Sequence, residues 1–130
     1  MEVPAKYKTA GTLMLVSGLY NIVFSLGLAA ALFLNISAIA ISTFGLGIVC
    51  YVCMCWPLIP FVMGVIELVH GVRVMGGTPV PHAKTVAIVG LVVGVLNFSI
   101  IPIIMEVIAM MSLSDDEVTK WLASHDQLPG

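Results

Sequence analysis

The sequence has very few charged residues. Asp, Glu, Lys and Arg make up 9% of its 130 residues, whereas hydrophobic residues make up 60%. Soluble domains carry about a quarter charged residues, so this chain lacks the charge to cover a globular surface. No Asp, Glu, Lys, Arg or His occurs from Thr9 to Ile66, and about 18 consecutive apolar residues are already typical of a transmembrane helix. The composition therefore predicts an integral membrane protein.

Other features that the sequence lacks exclude several function classes. Five basic residues in all are too few for a nucleic-acid interface. No catalytic triad, P-loop or Gly-x-Gly-x-x-Gly motif occurs, so we expect no enzyme and no cofactor. Cys50, Cys53 and Cys55 lie in one apolar patch and are not a disulfide framework. A zinc or iron–sulfur site usually needs four ligands, so these cysteines are interpreted as packing residues, with lipidation as a minor alternative.

Turn residues divide the apolar sequence into segments that predict an all-α bundle of four transmembrane helices. A turn is expected at Asn35-Ile36-Ser37 and a loop at the sequence GGTPVP, residues 76–81. The expected spans are residues 9–34, 37–56, 57–74 and 82–111. They form a membrane domain over 1–112, followed by an interfacial amphipathic helix and tail over 113–130.

A second topology has three long spans, with residues 42–73 forming one kinked helix. It is favoured by the positive-inside rule, because it places Lys6, Lys8, Arg73 and Lys84 on one side. Helix length favours four spans, since residues 42–73 would form a helix of about 48 Å against a hydrocarbon core of about 30 Å. We therefore expect four spans with both termini inside.

Two tryptophans suggest where the chain meets the membrane interface. Trp56 precedes the third span, and Trp121 lies in the expected interfacial helix, where Val118, Trp121 and Leu122 share one face. Ser114 is the expected N-cap of this helix, because three acidic residues follow it and favour the positive end of the helix dipole.

The segment FVMGVIELVHGVRVMGG carries the main polar candidates, Glu67, His70 and Arg73. Spacing by three residues places them on one helix face, from a deep acid to an interfacial base. One interpretation is a proton or cation relay. The other is a Glu–His or Glu–Arg pair that locks two helices together. Glu67-x-x-His70 is also half of a di-iron pattern, but Glu106 is the only other carboxylate within a span, so we expect no metal site.

Haem bound between two histidines is also not expected, since His70 is the only clearly intramembrane histidine. For Glu106 two interpretations are open: it pairs with a Lys or Arg of a neighbouring helix or subunit, or it lies near the helix end and reaches the membrane interface.

Three spans share a glycine followed three residues later by a polar residue. Glycine allows close helix approach, and the polar side chain can then bond across the gap. These pairs are Gly18 with Asn21, Gly64 with Glu67, and Gly94 with Asn97. We therefore expect Asn21, Asn97 or a neighbouring subunit to be the partner of Glu67.

Residues 60–73, Pro81-His82-Ala83-Lys84 and the sequence SDDEV at 114–118 resemble small bacterial tetraspan membrane proteins of unknown function. The resemblance covers about half of the chain. It implies four helices and a bacterial inner membrane, and it assigns no reaction and no functional residue.

A small membrane protein with short loops has no room for a substrate domain. We therefore expect a non-catalytic accessory or scaffold subunit that packs in a larger membrane assembly or with itself. The alternative is a small transporter or ion-conducting oligomer that uses Glu67 and His70. The expected partners are the lipid bilayer and other membrane subunits or further copies of this chain.

Overall fold

The protein is all-α in the part that the computed structural model describes, residues 2–43, 53 and 55–126. Helices α1 and α2 pack as one antiparallel pair, α3 and α4 form a hairpin beside them, and α5 caps one end of the bundle. Their bounds are Ala5–Ser42 (α1), Leu58–Met75 (α2), Ala83–Leu96 (α3), Ile100–Leu113 (α4) and Asp116–Asp126 (α5). The all-α prediction is therefore confirmed.

Helix α1 differs from the expectation because it continues through the turn expected at residues 35–37. The Asn35 side-chain amide donates to the Ala31 carbonyl at 2.7 Å, so this asparagine is satisfied within the helix. Helix α1 ends only at Ser42. The first expected span and the start of the second are thus one helix. The rest of the second span falls mainly on residues 44–52, which lie outside the described residues.

Glycines bring the backbones of α1 and α2 into direct contact. A Cβ on Gly18 would lie 2.6 Å from the Gly64 carbonyl oxygen, and a Cβ on Gly64 would lie 2.7 Å from the Gly18 carbonyl oxygen. Gly11 and Gly71 face each other in the same way, nearer the N-terminus of α1. Larger side chains would force the helices apart. These contacts fix the antiparallel register of α1 and α2.

The helix expected over residues 82–111 is instead two antiparallel helices. The chain reverses after α3 because the Ser99 N–H donates to the Gly94 carbonyl at 2.9 Å and the Phe98 N–H donates to the Val95 carbonyl at 3.1 Å. Phe98 has a φ of 53°. This bonding is the Schellman motif, with Phe98 at the left-handed position that glycine usually occupies. The turn satisfies its own backbone donors.

Each helix of the hairpin is little more than a third as long as α1, which has 38 residues. Helices α3 and α4 have 14 residues each, so each is about 21 Å long. Gly94 faces Ile103, and Gly90 faces Glu106, which shows that the two helices run side by side in opposite directions. Both outer ends of the hairpin therefore lie at the same end of the bundle.

The basic residues lie together at that end. Lys6 and Lys8 begin α1, Arg73 ends α2, Lys84 begins α3 and Lys120 lies in α5. The loop after α2 is tied to the first turn of α1 by Tyr7, whose hydroxyl donates to the Thr78 carbonyl at 2.8 Å and accepts from the Val80 N–H at 2.9 Å. The described ranges 9–43, 53, 55–72 and 85–119 contain no Lys or Arg, and His70 is their only histidine.

Helix α5 packs on the protein at this end. Trp121 is 3% exposed, and its ring lies 4.8 Å from the Tyr7 ring, centroid to centroid. Trp121, expected as an interfacial anchor, is therefore a core residue here, whereas Trp56 is half exposed before α2. The N-cap of α5 is Asp115, one residue after the expected Ser114. The Asp115 carboxylate accepts the Glu117 N–H at 3.1 Å, while the Ser114 hydroxyl bonds back to α4.

Candidate functional site: a buried carboxyl pair

Two carboxyl groups meet in the interior of the bundle. Glu67 comes from α2 and Glu106 from α4, and both side chains are 0% exposed. On the third helix, α3, Gly90 lies against both carboxyl groups. A Cβ at Gly90 would overlap Glu67 Oε1 and would lie 3.3 Å from Glu67 Cδ and 3.2 Å from Glu106 Cδ. Both carboxyl carbons thus surround one point, and the missing side chain at position 90 makes the space for them.

Helix α1 lines the site with three small polar residues. Ser17, Asn21 and Ser25 are each separated by four residues, so they lie on one face of α1, and all three are buried. The Asn21 Nδ2 amide donates to Glu67 Oε2 at 3.0 Å. The Ser25 hydroxyl donates to the Asn21 carbonyl at 2.6 Å. Ser17 lies beside both carboxyl groups, close enough to interact with each of them.

The carboxyl pair leaves several polar atoms without a hydrogen-bond partner. Glu67 Oε1, both Glu106 oxygens and the Ser17 hydroxyl are buried, and none of the residues that the structure describes forms a hydrogen bond with them. Burying one unpaired carboxylate in apolar surroundings is already costly, and two carboxylates side by side also repel each other. Two adjacent ionised carboxylates with no counter-charge would be unstable here. The site therefore requires a positively charged occupant, either a proton or a small cation.

Only some of the predicted site residues lie at the carboxyl pair. Asn21 is the partner of Glu67, as one of the sequence-based alternatives expected. Asn97 instead donates to the Val93 carbonyl at 2.8 Å, at the end of α3. His70 bonds to a carbonyl of its own helix and is only partly buried, while Arg73 is exposed. Neither the Glu–His nor the Glu–Arg pair forms.

The sequence placed Glu106 within a span and left two interpretations, a basic partner or a position near the interface. No Lys, Arg or His of the described residues forms an ion pair with it, and Glu67 is its charged neighbour. Ser17 was not predicted at all. Its spacing of four from Asn21 was the available signal, because residues i and i+4 share a helix face.

The cysteines lie at a separate place, before the start of α2. Cys53 and Cys55 are exposed free thiols that line a cavity of about 530 Å³ with Leu28, Trp56 and neighbouring apolar residues. Cys50 lies outside the described residues. Within the part of the chain that the structure covers, no group of three or more His, Cys, Asp or Glu side chains is arranged to hold a metal ion. No protein-family model, curated protein or solved structure matches this chain.

Proposed function

We propose that this protein is an integral membrane protein that binds and releases a small cation at the Glu67–Glu106 pair as part of ion movement through the bilayer. The observation that carries the proposal is the pairing of two fully buried carboxyl groups with unsatisfied oxygen atoms. Ionisable residues at membrane depth are costly and commonly mark ion or proton pathways. Glu106 takes the place that the sequence-based hypothesis gave to His70.

The surface of the bundle supports membrane insertion. Helices α1 and α2 are long and apolar enough to cross a bilayer, and only 11% and 33% of their most apolar windows are buried within the protein. The core helix of a soluble protein can be equally long and apolar, but it is mostly buried. Large apolar side chains such as Ile41 (81% exposed) and Phe98 (90% exposed) instead face outwards.

The distribution of charge supports one orientation. All five basic residues lie at one end of the bundle, so the positive-inside rule places this end in the cytoplasm. In this arrangement α1 and α2 cross the membrane. Helices α3 and α4, each about 21 Å long, enter from the cytoplasmic side and turn back within a hydrocarbon core of about 30 Å. This re-entrant hairpin is proposed in place of a fourth crossing. A bacterial inner membrane, implied by the resemblance, remains part of the proposal.

A polar line leads from the carboxyl pair away from the charged end. Ser17, Asn21 and Ser25 follow one face of α1 over about 12 Å. Ser25 also lines a cavity of about 180 Å³ between α1 and the start of α2, together with Pro57 and Phe61. Towards the charged end, the pair is covered by a buried apolar cluster that contains Tyr7 and Trp121. The pair therefore has polar neighbours on one side and an apolar plug on the other.

Ion flux in proteoliposomes tests this function. Purified protein is reconstituted, a pH gradient or a sodium or potassium gradient is applied, and internal pH or ion content is followed. We expect flux from the wild-type protein and its loss in Glu67→Gln and Glu106→Gln. Glu117→Gln is the matched control, since it removes an exposed carboxylate at the charged end. Absence of wild-type flux from folded protein would contradict the proposal, as would flux that both site variants retain.

The accessory-subunit hypothesis is the second candidate. It is supported by the far half of α1, where Leu34 is 68% and Ile41 81% exposed, because such apolar surface suits contact with another membrane protein as well as with lipid. Crosslinking in native membranes followed by mild detergent extraction tests it. Recovery of a defined complex from cells whose protein conducts no ions would favour this function. Recovery of the free monomer alone would oppose it.

A further inference from the structure

We propose that the cation at the carboxyl pair is a proton, held by Glu106 and shared with Glu67. This inference rests on the proposed function and names the species that the site takes up. The proton forms an O–H bond with one Glu106 oxygen and a hydrogen bond with Glu67 Oε1. On release, the O–H bond breaks, the electron pair stays on Glu106 and the proton leaves to water.

One proton satisfies the buried carboxyl oxygens completely. Glu67 Oε2 already accepts from Asn21. Glu67 Oε1 and both Glu106 oxygens are unpaired, as is the hydroxyl of Ser17. If one Glu106 oxygen is protonated, it donates to Glu67 Oε1, and the Ser17 hydroxyl can donate to the other Glu106 oxygen. Each of the four carboxyl oxygens then takes part in one hydrogen bond, as buried polar groups normally do.

A divalent metal ion fits the same atoms less well. Ca²⁺ takes six to eight oxygen ligands and Mg²⁺ requires an octahedral set, whereas four unpaired oxygens converge here. The close fit of Gly90 against both carboxyl groups also leaves them adjacent rather than spread around an ion. Like-charged carboxyls in direct proximity commonly share one proton, as the paired aspartates of aspartic proteases do.

Among the described residues, no Lys or Arg and no further carboxyl group contacts the pair. Helix α1 presents Ser17 and Asn21, which do not titrate, and α3 presents Gly90. On α2, the nearest titratable neighbour is His70, whose Nδ1 is engaged by the Ile66 carbonyl at 2.8 Å. On α4, Glu106 itself is the only titratable residue among 100–113. The protonation of the pair is therefore governed by the two carboxyl groups and their hydrogen bonds.

Infrared spectroscopy of the protein in lipid nanodiscs tests the inference directly. A protonated carboxyl group gives a C=O band that an ionised carboxylate lacks, and this band shifts in D₂O. We expect the wild-type protein to show this band near neutral pH, and Glu67→Gln/Glu106→Gln, which has no carboxyl group at the site, to lose it. Glu117→Gln should keep it. Ser17→Ala should move the band without removing it, because a hydrogen bond to the carbonyl is lost.

Direct ion-binding measurements with Ca²⁺, Mn²⁺ and Na⁺ separate the alternatives. No protonated-carboxyl band, with or without stoichiometric binding of one of these ions, would overturn the inference. Flux without the band would leave the proposed function standing and reject only the proton. The band without flux would support a shared proton and reject ion movement. Glu67→Gln/Glu106→Gln, whose amides can bond to each other, provides a folded variant if a single substitution unfolds the protein.

Discussion

Gly90 is the position where the carboxyl pair can be disturbed by the smallest chemical change. Replacing Gly90 by Ala adds one methyl group, which would overlap Glu67 Oε1 and come within 3.2 Å of Glu106 Cδ. Glu67 cannot simply rotate away, because its other oxygen is held by Asn21 at 3.0 Å. The added methyl group must therefore displace a carboxyl group or push α3 away from α2 and α4.

The expected loss of stability is the sum of two destabilising contributions and one stabilising contribution. Overpacking of a filled interior costs about 1–3 kcal/mol. Weakening the hydrogen bond from Asn21 to Glu67 adds up to about 1.5–3 kcal/mol if that carboxyl group is ionised. Alanine in place of glycine within α3 returns about 1 kcal/mol of helix propensity. We therefore expect Gly90→Ala to lower the free energy of unfolding by about 1.5–5 kcal/mol.

Gly27→Ala is the matched control for this substitution. Gly27 also lies within a helix, but a Cβ there would meet no atom within 4 Å. It should therefore stabilise α1 by up to about 1 kcal/mol. Both variants are compared with the wild-type protein by denaturant titration in mild detergent, with tryptophan fluorescence as the probe. If Gly90→Ala were as stable as Gly27→Ala, the two carboxyl groups would not meet at position 90 and the site as described would be wrong.

Three further substitutions test the ends of the bundle. Phe98→Gly should raise the free energy of unfolding by about 1 kcal/mol, because Phe98 is 90% exposed at a φ of 53° that glycine adopts without strain. A clear loss of stability in thermal unfolding would instead show that the Phe98 ring packs on another part of the protein. Trp121→Ala should release α5 and expose the peptide bond after Lys120 to trypsin while circular dichroism shows the other helices intact, whereas unchanged resistance would contradict the packing on Tyr7. The hydrogen bond from the Lys6 ammonium lowers the pKa of Asp115 below its ordinary value of 3.8, so this contact stabilises the docked α5 above about pH 4 and is lost as the pH falls further. Acidification of the wild-type protein should therefore change the fluorescence of Trp121 as α5 is released. Asp115→Asn should weaken this change, and an identical change in the variant would refute the role of the contact.

The helical class and most helix positions could be predicted from local sequence. The expected third span at residues 57–74 corresponds closely to α2, Leu58–Met75, because a proline-containing start and a Gly-Gly end mark its limits in the sequence. The glycine-based packing of α1 on α2 was also visible, since Gly18 and Gly64 each precede a polar residue by three. These features depend on neighbours within one or two helical turns.

The hairpin reversal at Phe98 could not be predicted in the same way. Residues 82–111 contain no glycine or proline at the reversal itself, and the left-handed residue that closes α3 is a phenylalanine. The mainly apolar residues on both sides of Phe98 predict one continuous helix. The break forms because Gly90 and Gly94 allow α4 to fold back closely onto α3, a long-range packing effect that local propensity does not report.

The pairing of Glu67 with Glu106 depends on this reversal. With residues 82–111 as one straight helix, Gly90 and Glu106 would lie 16 residues apart along the axis, or about 24 Å. Folded back, Glu106 lies beside Gly90 and faces Glu67 from the opposite helix. The sequence showed two isolated acids, for which basic partners were among the expected solutions because ionisable groups at membrane depth commonly pair with each other. The fold instead places acid against acid, so the neutralising charge has to come from outside the chain. The proton that we propose meets that requirement, and if it is exchanged with water at the charged end, that exchange requires the buried apolar cluster around Tyr7 and Trp121 to open.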